Sequence, residues 1–182
     1  MSESAIIVID LQNEYWPSGH VPLEGVEAAA ANAALVLEKA RAGGGFVVHV
    51  QHLSADPNMP IFVPGSKGAE INATVRPIEG EPLVQKYYPN AFRDTGLRKV
   101  LDDKGVKDVV IVGAMSHMCI AATARAAADF GYNVTVLHDA CATREVEFGG
   151  VTVPAAQVHA ANMSALAYAY GSVIPTSDYL AR

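Results

Sequence analysis

Apolar residues fall along this chain in two rhythms. Short, nearly unbroken apolar runs occur at Ala5–Ile9, Phe46–Val50, Pro82–Gln85, Val106–Val112, Val134–Leu137 and Val173–Ile174. They read as strands buried on both faces, because a solvated face would demand alternating polar positions. Between them, apolar residues recur every three to four positions. From Gly25 to Ala42 these are Val26, Ala29, Ala33, Val36, Leu37 and Ala40, one stripe of a helix. Gly43 to Gly45 end it. Further helices are predicted over Thr95–Lys104, with Asp94 or Thr95 as cap, over the small residues Ile120 to Ala128, and over Val153–Tyr170.

Strands that alternate with helices predict an α/β fold. The expected architecture is a single Rossmann-like domain over residues 1–182. It has three layers, with a mostly parallel six-stranded sheet in the order 3-2-1-4-5-6 and helices on both faces. Ser54 to Glu81 interrupts the alternation with a long, irregular stretch rich in Pro and Gly. A loop of that length in a compact domain is usually a binding loop or a subunit contact.

Composition narrows the function. Apolar residues make up 51% and the formal charge is −6, so neither nucleic acid nor an anionic membrane is an expected partner. The start, MSESAIIVIDLQ, lacks a basic segment ahead of its apolar run and does not read as a signal peptide. No apolar stretch approaches the ~20 residues needed to span a bilayer. Two cysteines, Cys119 and Cys141, with no export signal imply reduced thiols and a cytoplasmic setting.

Ligands of an open parallel sheet bind at the carboxyl ends of its strands. Three reactive side chains lie at such ends: Asp10 after the first strand, Lys86 after the third, and Cys119 in the loop after the fourth. A charged residue ending a strand is commonplace, and a free cysteine is usually core. Together they form a coherent set: a base, a cation and a nucleophile. The helix that follows Cys119 would favour its thiolate and lower its pKa.

Separated motifs then make the resemblance specific. Val8-Ile9-Asp10-Leu11-Gln12-Asn13, Lys86 with Asn90-Ala91-Phe92, and Val112-Gly113-Ala114-Met115-Ser116-His117-Met118-Cys119 occur in that order. Ala124-Arg125-Ala126-Ala127 and Asp139-Ala140-Cys141-Ala142-Thr143 follow. The chain resembles the isochorismatase-like cysteine hydrolase superfamily, which includes nicotinamidases, N-carbamoylsarcosine amidohydrolase and ureidoacrylate amidohydrolase. The resemblance implies a triad of Cys119, Asp10 and Lys86 and a cis peptide between Ala114 and Met115. It also implies an oxyanion hole from the backbone N–H groups of Met115 and Cys119. The implied reaction is hydrolysis of a C–N bond in a small amide through a thioester. Members that cleave a vinyl ether lack the cysteine, so Cys119 points to C–N chemistry. The alternatives are a ureido or carbamoyl substrate on the same triad, or a small-molecule binding protein without turnover. The superfamily also implies a homo-oligomer, a dimer or tetramer.

Nicotinamidases of this superfamily bind a metal through Asp-x-His after the second strand. Here that stretch reads His49-Val50-Gln51-His52, whose two histidines a strand would place on opposite faces. No metal and no cofactor is therefore expected. Gln51, His52 and His117 are candidates to line the substrate pocket. Trp16, Phe62, Tyr87, Tyr88 and Phe92 are candidate walls, with Trp16 and Phe92 favoured because they flank triad positions. Cys141 reads as a buried structural thiol.

Overall fold

A computed structural model describes residues 4–56 and 58–182. Six strands form one parallel sheet in the order β3-β2-β1-β4-β5-β8. They are β1 (Ser4–Ile9), β2 (Phe46–His52), β3 (Leu83–Lys86), β4 (Asp108–Ala114), β5 (Asn133–Ala142) and β8 (Ser172–Ile174). This is the expected order, the sixth strand of the sheet being β8. The expected single unit over 1–182 includes residues 1–3 and 57, which lie outside the described residues.

The helices divide between the two faces. Along β1, Ala5, Ile7 and Ile9 enter one hydrophobic cluster, while Ile6 and Val8 enter another. The first cluster is covered by α2 (Leu97–Asp103), α3 (Ala121–Asp129) and α4 (Ala155–Ala169), through Leu97, Leu101, Ala124, Ala127, Met163 and Leu166. The second is covered by α1 (Val26–Ala42), through Val26, Ala29, Ala33, Val36 and Leu37. Both faces of the central strands are therefore dry, which is why their runs are apolar without alternation. Each buried Ile, Leu or Val contributes about 1.5–3 kcal/mol of transfer free energy.

Three elements depart from the sequence expectation. β5 does not stop at Leu137. Its pairing with β4 shifts from Ile111↔Val136 to Gly113↔Cys141, and the strand continues to Ala142. His138 and Asp139 lie in that irregularity, and their polarity breaks the pattern that would have extended the strand. Val153 belongs not to a helix but to an antiparallel hairpin of β6 (Val146–Phe148) and β7 (Val151–Val153), turned by Gly149 and Gly150. A closing helix, α5 (Thr176–Leu180), is one short turn with little periodicity to read. No described helix is long and apolar enough to cross a membrane.

One glycine is dictated by the sheet. Gly113 pairs with Ile9 at φ +134°, where a Cβ would stand 1.9 Å from the Ile9 carbonyl oxygen. The strands carrying Asp10 and Cys119 meet there without room for a side chain.

Candidate active site

Each of the three strand ends delivers its residue to the same place. Asp10 follows β1 with φ +54°, a left-handed conformation that ends the strand. Lys86 closes β3 in register with His52 of β2. Cys119 follows β4 within a π-helical turn, Ser116–Ile120, that leads into α3. Turns of this kind occur often at functional sites. The turn is anchored from outside: Ser116 Oγ lies 3.3 Å from the Ala142 carbonyl and 2.8 Å from His159 Nδ1. The peptide between Ala114 and Met115 is cis.

The three side chains form one buried cluster. Lys86 Nζ lies 2.7 Å from Asp10 Oδ2 and donates to Cys119 Sγ at 3.2 Å. Lys86 and Asp10 are both fully buried, and the thiol is nearly so. The Cys119 thiol is in turn hydrogen-bonded to the Asp10 carboxyl. Burial alone would pull the Lys86 ammonium down. The neighbouring Asp10 outweighs it, with Cys119 adding to the effect and both accepting hydrogen bonds from the ammonium, and its pKa rises. For Cys119, burial and the Asp10 carboxylate push the thiol well above its ordinary range, against the opposing pull of Lys86. This differs from the depressed pKa the sequence suggested. A helix end in a dry site beside Asp10 favours the neutral thiol over the thiolate.

His52 joins them. Lys86 Nζ donates to its Nδ1 at 2.9 Å, which fixes the proton of the neutral ring on Nε2. Burial and the charge of Lys86 lower the His52 pKa, against the pull of Asp10, and keep the ring neutral. The backbone of His52 is clamped by Gln12, whose amide donates to the His52 carbonyl at 2.8 Å and accepts from its N–H at 2.8 Å. Donor atoms of Asp10, His52 and Cys119 lie within 4.8 Å of one another, a spacing compatible with a metal. The Lys86 ammonium contacts all three of these groups and acts as the resident cation of the cluster. His49 points away, its Nε2 2.9 Å from Glu81 on the far side of β2.

Above the thiol opens a cavity of about 380 Å³. Its wall is largely apolar, with Met59, Ile61, Phe62, Tyr87, Met115 and Met118 around Cys119. Phe62 is held at φ +55° and packs edge-on against Tyr15 at 5.2 Å and His52 at 5.1 Å between ring centres. Its N–H donates at 3.1 Å to Glu14, a buried carboxylate that also bonds His20. Burial raises the Glu14 pKa, but the hydrogen bonds from His20 and Phe62 outweigh it and the carboxyl stays ionised. Glu14 therefore ties the 13–20 loop to the 54–81 loop at the cavity wall.

Of the five favoured pocket residues, His52 reaches this cavity. Trp16 packs against the hydrophobic cluster beneath α1. Phe92 turns into the opposite core, against Phe130 and Tyr132. Gln51 sits on the other face of β2 from its neighbours, donating to the Ala69 carbonyl and accepting from Gln85. His117 lies beside Thr143, Nδ1 to Oγ1 2.7 Å. Sequence proximity to a reactive residue misled because strand and turn geometry send adjacent side chains to opposite sides. Gln12, inside the first motif, and Glu14, just after it, carry no role in the sequence reading, because their partners lie some 40 and 48 residues away in sequence.

Comparison with known proteins identifies the family. The family model for the isochorismatase domain matches residues 4–178. The isochorismatase family protein YddQ of Bacillus subtilis is 44% identical over 177 residues, covering 97% of this chain and 98% of that one. Maleamate amidohydrolase of Pseudomonas putida is 30% identical, covering 96% of this chain and 84% of its own length. A solved isochorismatase-type hydrolase of Oleispira antarctica superposes with a TM-score of 0.94 at 52% identity, covering 98% of this chain and 96% of that one. The chain belongs to the isochorismatase family of hydrolases.

Proposed function

We propose that this protein is a cysteine-dependent amidohydrolase that cleaves a C–N bond of a small amide through a thioester on Cys119. The observation that carries this reading is the contiguous Asp10, Lys86 and Cys119 cluster at the floor of an apolar cavity. The presence of maleamate amidohydrolase among its relatives supports the same chemistry.

Asp10, hydrogen-bonded to the thiol, accepts its proton as Cys119 Sγ attacks the amide carbonyl. Lys86 holds the carboxylate and offsets the charge passing between oxygen and sulfur. The N–H groups of Met115 and Cys119 receive the oxyanion; one such donor is worth roughly 3–4 kcal/mol in acyl transfer. Protonated Asp10 then gives its proton to the departing nitrogen, and ammonia leaves. Water, deprotonated by the same carboxylate, cleaves the thioester and restores the thiol.

Ammonia release from a panel of small primary amides and ureido compounds, by wild type and by Cys119→Ala, tests this reading. Release by wild type alone is expected. Equal release by both, in protein free of contaminating amidase, would refute it. A ureido or carbamoyl substrate is a second reading on the same triad, favoured if only those compounds release ammonia.

A further inference from the structure

The cavity over Cys119 has a charge character of its own. Its walls are Met59, Ile61, Phe62, Tyr87, Met115 and Met118, and among the described lining residues none is a lysine or arginine. Lys86 does not supply a cation to an incoming group. It is fully buried, and its Nζ is already engaged by Asp10, His52 and Cys119. The charged residue in the lining is Asp56, an exposed carboxylate whose Oδ1 accepts from the Asn58 N–H and side-chain amide. The polar groups that remain are hydroxyls and the neutral His52 ring. Burial holds the Tyr15 phenol well above its ordinary range, with the nearby acidic groups adding to the effect, so it stays protonated.

A substrate carboxylate entering here would lose water against apolar side chains, find no guanidinium or ammonium, and face Asp56. An unpaired buried charge is among the costliest of all contacts. A neutral acyl group would instead exchange water for Met and aromatic surface, with the His52 Nε2–H offered to an uncharged acceptor. A cationic group would meet the exposed Asp56 carboxylate of the lining.

Resting on the amidohydrolase reading, we propose that the site selects amides whose acyl part is apolar and carries no negative charge, neutral or cationic substrates being accepted and carboxylates rejected. Discrimination of this kind comes as much from the missing partner as from the contacts made.

The test is equilibrium binding to the Cys119→Ala protein, which holds ligand without turnover. Calorimetry with 4-methylbenzamide, 4-(aminomethyl)benzamide and 4-carboxybenzamide compares three amides of similar shape and different charge. The first two are expected to bind at least tenfold more tightly than the third. Asp56→Lys in the same background should narrow the gap between 4-methylbenzamide and 4-carboxybenzamide several-fold. Equal or tighter binding of 4-carboxybenzamide, or no binding of any of the three at millimolar concentration, would overturn the proposal. A gap unmoved by Asp56→Lys would overturn its electrostatic basis. Failure of the amidohydrolase reading is seen separately, as absent ammonia release by wild type whatever the binding order.

Discussion

Lys86 Nζ stands 2.7 Å from Asp10 Oδ2, both residues fully buried, and the same ammonium donates to Cys119 at 3.2 Å. Two opposite charges therefore act on one thiol. Asp10 raises the Cys119 pKa and Lys86 lowers it. Removing each should separate thiolate formation from proton transfer. Asp10→Asn lowers the thiol pKa, so iodoacetamide should alkylate Cys119 faster at pH 7 than in wild type. Lys86→Met raises it, and alkylation should slow. Both variants should lose turnover by about 10²–10⁴-fold, the usual worth of a general acid–base group. Alkylation and turnover falling together in Asp10→Asn would show that the carboxylate is needed to form the thiolate itself.

Glu14 holds the wall of the cavity without touching the thiol. Its Oε2 accepts from the Phe62 N–H, and Phe62 keeps a left-handed backbone there. Glu14→Gln exchanges part of a charged acceptor for a donor and should cost about 1–3 kcal/mol of stability. The loosened Phe62 should raise KM several-fold while kcat stays close to wild type. A fall in kcat at constant KM would place Glu14 in the chemistry instead.

Glu81 links β2 to α1. It accepts from Arg41 Nε and Nη2, each at 2.8 Å, and lies 2.9 Å from His49 Nε2. Burial raises its pKa, but the Arg41 and Ile78 donors and His49 outweigh this and bring it down to about 2. A carboxyl depressed in the folded state stabilises fully above its unfolded value of about 4.3 and loses that stabilisation as pH falls towards 2. The difference in urea midpoint between wild type and Glu81→Gln should be largest near pH 7 and shrink between pH 4.5 and 2. A difference independent of pH would contradict this.

Gly113 and Gly25 both have positive φ, yet their surroundings differ. Alanine at 113 would drive its Cβ to 1.9 Å from the Ile9 carbonyl oxygen, whereas at 25 nothing lies within 4 Å. Gly25→Ala should cost only the conformational strain of a left-handed residue, about 1–2 kcal/mol. Gly113→Ala should cost clearly more, roughly 3 kcal/mol or beyond, because two central strands must part. Similar thermal midpoints for the two variants would contradict the role given to the β1–β4 contact.

The sheet was legible in the sequence because its strands are dry on both faces: Ile6 to Ile9 and Val109 to Val112 have no polar alternation to confuse. Asp10, Lys86 and Cys119 were legible because a parallel sheet gathers its strand ends along one edge. The pocket was not. His52 projects into it while Gln51 beside it faces away, a distinction that depends on one step of pleat. Phe62 is legible as an aromatic candidate in the long loop, but the left-handed backbone that turns it to the wall has no period to read. The thiol's raised pKa was missed for a related reason. The helix after Cys119 can be read from its alanines, but the depth of burial cannot.

The central claim is that Cys119, not the second buried thiol Cys141, carries the acyl group. Acid-quenching wild-type protein during turnover of an amide that releases ammonia, followed by peptide mass spectrometry, reads this directly. The account expects an acyl mass increment on the peptide containing Cys119, absent from the peptide containing Cys141 and removed by hydroxylamine. An increment on Cys141, or steady turnover by Cys119→Ala with no adduct on any cysteine, would contradict it.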